Sequence, residues 1–297
     1  LSFITWICSE LRICKKIDRI ALKRPVDMAF FTTPDGVNIH YDVEGEGAPL
    51  LFLHGWAMCS RVWTHQVAHL AGDYQVFCPD LPGHGKSGCS SGACDFVSLT
   101  RDIALLIEGL GLERMTLVGW SIGASVALML AAAHCLPVDS LVLVDGTPSF
   151  MARDGFPHGL PAAVLRRMLK LADADFSRAL QEFHGLLLSE QDQALPSGDE
   201  VRDLLTNEQY LPQRDAARSL LASLAGEDLR DKLGGIRIPC LLMHGDQDKI
   251  CPPGASVYMQ ERLARAELIT FPGAGHAPFL TRADDFNHSL AAFLRSV

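Results

Sequence analysis

The sequence predicts an α/β fold, a doubly wound and mostly parallel sheet with an all-helical lid inserted after the sixth strand. Three observations lead there. Short apolar runs of strand length alternate with segments of helical period from Met28 to Val297. Between Phe150 and Asp228 that alternation stops and only helical periodicity remains. Within Leu117 to Ala124 a serine stands between two glycines, at a point where a strand gives way to a helix.

Taken in order, Met28 to Thr33 and Val37 to Val43 read as strands joined by the turn Pro34-Asp35-Gly36, hence a hairpin. Leu50 to Leu53 is wholly apolar, as a strand covered on both faces should be. Tyr74 to Cys78 is a second such strand, with a helix around Val62 to Ala71 between them. Ser98 to Leu110 is a helix, Met115 to Val118 the strand before the serine, and Ser140 to Val144 the next strand. Cys240 to Met243 and Glu267 to Thr270 complete the sheet, separated by a helix near Ala255 to Leu263, and a last helix runs from Asp284 to Arg295. The interruption carries helical runs at Ala162 to Leu171, Phe176 to Leu188, Glu200 to Leu205 and Ala216 to Leu224, broken by Pro157, Pro161, Pro196 and Pro212. An insertion of this kind lies over the strand ends, where open α/β sheets bind their ligands. Residues 28–149 and 229–297 are thus expected to form the core and 150–228 the lid. Residues 1–27, with Arg12, Lys15, Lys16, Arg19, Lys23 and Arg24 among apolar residues, are expected to be a dispensable extension ahead of a start at Met28.

The bulk properties exclude several classes. A net charge of −9 provides no basic surplus for a nucleic-acid partner. No apolar run has the length of a membrane span. Nine scattered cysteines with no C-x-x-C spacing read as buried thiols of a reducing compartment, neither a disulfide framework nor a zinc site. A monomeric, cytoplasmic protein without metal or cofactor is expected.

The chemistry is centred on Gly119-Trp120-Ser121-Ile122-Gly123. Glycines two before and two after the serine remove Cβ atoms where strand and helix would collide. Ser121 can then take a strained backbone conformation that exposes its Oγ as a nucleophile. The following helix aims its N-terminal amides at the same spot. A serine nucleophile needs a base, and the base an orienting acid. His276 follows the last strand in a Gly/Pro-rich loop, and Asp248 and Asp246 follow the strand before it. Asp248 is the expected acid. Asp246 stands as a turn-fixing alternative, and Asp145 follows the strand after the serine helix. Upstream, His54-Gly55-Trp56 ends the first parallel strand. The backbone N–H groups of Trp56 and Ile122 are the expected oxyanion hole, with His54 bracing the loop.

Two further patterns carry no chemistry. Gly83-His84-Gly85-Lys86-Ser87-Gly88 matches G-x-G-x-x-G, but Asp80 stands where a phosphate loop needs its first glycine and no helix opens on the last one. His65 and His69 are one helical turn apart, but Gln66 replaces the glutamate of a zinc hydrolase, so a solvated helix face is expected.

The landmarks His54-Gly55, Asp80-Leu81-Pro82-Gly83-His84-Gly85-Lys86-Ser87, Gly119 to Gly123 and Gly275-His276 occur in the order seen in α/β-hydrolases, and the chain resembles that family from Met28 to Val297. His54-Gly55-Trp56, Trp120, Ser149 to Pro157, Asp175-Phe176 with Phe183, and His276 to Phe279 are similar to the esterases that hydrolyse the pimeloyl-[acyl-carrier protein] methyl ester in biotin synthesis. That resemblance implies a serine carboxylesterase acting on a small-molecule or carrier-bound ester. It implies substrate contacts at Trp56, Ser121, Ile122, Phe183, His184, Gly185, Leu186, Leu187 and His276. It also implies lid arginines that dock an acidic carrier. Arg178 fits one such position, whereas Glu182 stands one turn on where another base is expected. The alternatives are a broad carboxylesterase or C–C bond hydrolase with the same triad, and a non-catalytic receptor for a small ligand.

Overall fold

A computed structural model of the chain describes residues 29–89, 94–195, 198–206 and 211–297; the extension expected at 1–27 lies outside them. Eight strands form one sheet in the order β1-β2-β4-β3-β5-β6-β7-β8. Strands β1 (Ala29–Thr32) and β2 (Asn38–Glu44) form the expected hairpin, and both contacts of β2 are antiparallel. Its turn uses Gly36 at φ 88°, a backbone region that favours glycine. All pairings among β3 (Ala48–Leu53), β4 (Tyr74–Pro79), β5 (Met115–Trp120), β6 (Val138–Val144), β7 (Cys240–Gly245) and β8 (Ala266–Phe271) are parallel.

The chain leaves β4 and returns across β3 to β5, so the winding direction reverses there. The C-terminal ends of β3 and β5 flank this switch point, where an open sheet leaves a crevice for a ligand. Strands β5 and β7 are buried at every position, as their continuous apolar runs require. A 3₁₀ turn (Ser60–Trp63) leads into α1 (Thr64–Leu70). The next helix, α2 (Phe96–Leu110), starts with a capping box in which Asp95 and Ser98 satisfy each other's backbone N–H, and ends at Gly111 in the left-handed region. Behind Ser121, α3 (Ile122–Ala133) is buried on every face, which explains its almost wholly apolar sequence.

Between β6 and β7 the described elements are helical: α4 (Ala162–Ala174), α5 (Phe176–Leu187), α6 (Glu190–Gln193), α7 (Gly198–Thr206) and α8 (Arg214–Ser223). Helices α9 (Gly254–Gln260), α10 (Pro278–Thr281) and α11 (Ala283–Leu294) complete the core. The one-turn α6 gives no periodic signal, and sequence reading passed over it. No helix among the described residues is long and apolar enough to cross a membrane. The cysteine expectation needs correction: Cys89 and Cys94 form a disulfide, their Cα atoms 6.3 Å apart. The spacing of five residues matches no metal motif. Cys59, Cys78, Cys240 and Cys251 are buried thiols as expected, whereas Cys135 is half-buried.

Candidate active site

Ser121 sits between β5 and α3 at φ 56° and ψ −117°, a conformation costing a non-glycine residue about 1–3 kcal/mol. The neighbourhood over-determines it. A Cβ on Gly119 would collide with the backbone of Gly123, and one on Gly123 would collide with the carbonyls of Leu53 and His54. The serine N–H donates to Val144 O at 2.9 Å, and its carbonyl accepts from Ala124 and Ser125. Burial pushes the neighbouring Cys251 thiol well above its usual range, and the Ser121 side chain opposes that shift.

His276 and Asp248 meet across the C-terminal ends of β7 and β8. His276 Nδ1 donates to Asp248 Oδ2 at 2.7 Å, leaving Nε2 as the unprotonated nitrogen. That nitrogen is buried and has no hydrogen-bond partner, so the Ser121–His276 bond is not closed in this structure. The other Asp248 oxygen accepts from the N–H groups of Ile250 (2.8 Å) and Cys251 (3.0 Å). Burial pushes the Asp248 carboxyl upward, but His276 and His244 outweigh it and hold the group well below the usual carboxylate range. His244 Nε2 lies 3.2 Å from Asp248 Oδ2 and donates to Cys251 O at 2.8 Å. Asp246 accepts instead from Gly273 N (2.8 Å), which ties the two loops together. Asp145 accepts from Gly245 N (2.9 Å) and approaches His244 rather than His276, and burial pushes its carboxyl upward. Among the described residues, two buried groups have ligand atoms close enough to share a metal ion: Asp248 with Cys251 and His276, and Asp145 with His244 and Asp248.

The backbone around His276 is held from both sides. On the core side Trp120 Nε1 donates to His276 O at 2.6 Å, and the same ring packs against Gly55 and Phe279. On the lid side His276 N donates to Leu187 O (2.8 Å), Gly275 N to Asp192 Oδ2 (2.6 Å), and Ser189 Oγ to Gly273 O (2.6 Å). Asp192 is fully buried, and its second oxygen accepts from Arg282 at 3.0 Å. Gly275 must be glycine, since a Cβ there would meet Leu187 O and Ser189 N, each at 2.7 Å. Sequence reasoning missed Ser189 and Asp192. The signal available was the S-x-x-D of a helix cap, which is indeed how the pair begins α6.

Trp56 follows β3, and its loop touches the start of α3 through the Leu53 and His54 carbonyls packed on Gly123. His54 braces that loop as expected: Nδ1 donates to Gly55 O (2.8 Å) while Nε2 accepts from Leu81 N (2.8 Å). Asp80 accepts from Ser60 N (2.7 Å), Lys86 N (2.9 Å) and His40 Nδ1 (3.0 Å), so the G-x-G-x-x-G loop wraps a carboxylate of its own chain. His65 is half-buried and His69 exposed, in keeping with a solvated face.

A small inner chamber of about 40 Å³ contains Ser121, with Ile122, Trp56, Phe183, Leu221 and Ile250 among its walls. Trp56 and Phe183 meet edge to face, with centroids 4.8 Å apart, and Trp56 Nε1 donates to Ala217 O on α8 at 2.8 Å. Both residues, with Met168 and Leu221, also line an outer cavity of about 450 Å³ in the lid, to which Gly185 and Leu186 contribute. His184 and Leu187 are not among the residues that line these two chambers. Helical phase decides this: Leu187 is fully buried beneath the strap to His276, and burial pushes the His184 imidazole down to about 4. On the outer face Glu182 pairs with Arg167 (2.7 Å) and Arg178 (3.3 Å).

A family model described as the alpha/beta hydrolase fold matches residues 48–283. The pimeloyl-[acyl-carrier protein] methyl ester esterase of Nitrosomonas europaea is 36% identical over 251 residues, covering 84% of this chain and 96% of that protein. The protein of the same name from Aeromonas hydrophila is 32% identical over 252 residues, covering 84% and 96%. Among solved structures, an esterase from Exiguobacterium antarcticum superposes with a TM-score of 0.82 at 28% identity, covering 90% of this chain and 98% of that one.

Proposed function

The chain belongs to the α/β-hydrolase family, and from that premise we propose that it is a serine carboxylesterase whose substrate is the methyl ester of a pimeloyl group on acyl-carrier protein. The observation that carries the chemistry is the bare, buried Nε2 of His276, on a ring anchored to Asp248, in a chain that also holds Ser121 at positive φ at a strand end. Ser121 Oγ attacks the ester carbonyl as His276 Nε2 takes its proton, and Asp248 stabilises the imidazolium. The N–H groups of Trp56 and Ile122 receive the oxyanion. Collapse expels methanol, which carries away the proton from His276. Water, deprotonated by the same nitrogen, then attacks the acyl-enzyme, releasing the free acid and regenerating Ser121. Catalytic hydrogen bonds often close only in the substrate complex, as this scheme requires of Ser121 and His276.

The substrate assignment rests on the names of the relatives and on the apolar path past Trp56 and Phe183. The inner chamber is too small for an acyl chain, so the chain would extend into the outer cavity, whose 450 Å³ lies in the range of ligand sites. One observation favours a second reading, a broad carboxylesterase: Glu182 neutralises the two arginines that would meet an acidic carrier. Turnover of the carrier-bound methyl ester set beside that of short free esters decides between them. Equal kcat/KM for both leaves the broad reading. Failure of Ser121 to react with a fluorophosphonate overturns both.

A further inference from the structure

Cys251 stands three residues after Asp248 in the β7–α9 loop and is 1% exposed. The loop holds it rigidly. Its N–H donates to Asp248 Oδ1 at 3.0 Å, and its carbonyl accepts from His244 Nε2 at 2.8 Å. The thiol lies with an Asp248 oxygen and a His276 ring nitrogen in a group whose members are all within 4.8 Å of one another. His276 Nε2, in a fully buried ring, has no partner. Nothing in ester hydrolysis calls for a sulfur atom at this point. A soft thiolate, an imidazole nitrogen and a carboxylate oxygen are instead the donors that zinc and cadmium select.

We propose that Cys251 Sγ and His276 Nε2, backed by the Asp248 carboxylate, form an inhibitory site for a thiophilic divalent cation of the zinc–cadmium class. The ion enters by way of the chamber that contains Ser121. It sheds water and displaces the thiol proton to solvent as the metal–sulfur and metal–nitrogen bonds form; nothing is oxidised or reduced. The Nε2 lone pair is then occupied by the ion. Because a ligand must lose a proton, binding strengthens with rising pH. Binding itself does not depend on the proposed function, but inhibition rests on His276 being the base.

The test uses the full chain freed of metal, titrated with cadmium chloride. Two signals are followed: the ultraviolet thiolate-to-cadmium charge-transfer band and the rate at which Ser121 is labelled by a fluorophosphonate. The expected result is one saturable band, loss of labelling along the same curve, and recovery of both on adding a chelator. Cys251→Ala, and the near-isosteric Cys251→Ser in case the first fails to fold, should each weaken the ion's effect on labelling by more than about 100-fold, beyond what loss of an outer-shell group costs. His65→Gln with His69→Gln removes the i,i+4 imidazole pair on α1 and should change neither signal. Unaltered sensitivity in both Cys251 variants, or sensitivity that follows the His65/His69 pair, overturns the site. A Cys251-dependent band with undiminished labelling overturns inhibition and removes His276 as the base. An unlabelled enzyme that still gives the Cys251-dependent band keeps the ion site and sinks the esterase reading alone.

Discussion

Around Ser121 the site is fixed by backbone, whereas around Phe183 it is fixed by side chains. The core half relies on positive φ, on glycines pressed against carbonyls, and on N–H groups that grip Asp248. The lid half relies on an edge-to-face contact between Trp56 and Phe183, an indole hydrogen bond to Ala217, and exposed ion pairs around Glu182. Backbone devices tolerate few substitutions, because no rotamer change relieves them. Side-chain devices can be exchanged residue by residue. Under the proposed function, the difference places reaction type in the core and substrate choice in the lid.

The largest expected effect breaks the core half alone. Ser121→Ala and His276→Ala should each lower kcat by roughly three orders of magnitude or more, with Asp248→Asn close behind, because it admits the wrong imidazole tautomer. Thermal melts of all three should overlie the parent curve. If Asp246→Asn proves more damaging than Asp248→Asn, the geometry at His276 has been misread.

The next effect lies on the seam. Asp192→Ala removes the acceptor that holds Gly275 and leaves Arg282 without its buried partner. Loosening the base by a fraction of an ångström should lower kcat by about 100-fold for small and carrier-bound esters alike, at nearly constant KM. A change confined to KM would place Asp192 with the lid devices instead. Phe183→Ala should act more weakly and on KM, by about tenfold, since it removes apolar contact along the acyl path while sparing the catalytic atoms. Steady-state kinetics on both substrates separate the two cases.

Legibility in the sequence follows the same division. The strands could be read because a parallel sheet buries both faces of each, which makes Leu50 to Leu53 and Cys240 to Met243 unbroken apolar runs. Ser121 and His276 could be read because their glycines and strand ends are local features. The lid contacts could not. Whether Phe183, His184 or Leu187 faces the chamber depends on how α5 packs, and a twelve-residue amphipathic helix does not state its phase against a partner it has yet to meet. Asp192 was hidden for another reason: a side chain that caps its own helix satisfies a local rule, and its second bond to Gly275 spans 83 residues. Cys251 carried no pattern of its own.

The smallest effect tests the lid's outer face. Arg178 is two-thirds exposed and paired one turn along with Glu182, a geometry worth at most about 1 kcal/mol. Arg178→Glu should raise KM for a carrier-bound ester by about two- to fivefold at low salt, with the difference closing as salt is added and free esters unaffected. No response at any ionic strength would remove Arg178 from docking and strengthen the broad-esterase reading.

The strap from Leu187, Ser189 and Asp192 to the loop of His276 has a consequence for how this enzyme can be re-engineered, and for how its lineage could have diversified. An insertion between two strands looks like a cassette that could be lifted out and replaced by that of a relative to graft a new specificity. Here the cassette's end is also bonded to the loop of His276, the proposed base. A lid exchange that ends before Leu187, keeping residues 187 to 192, preserves the acceptors on which the base loop rests. One that takes the whole helical segment discards them, and a chimera would lose turnover for reasons unrelated to its new pocket.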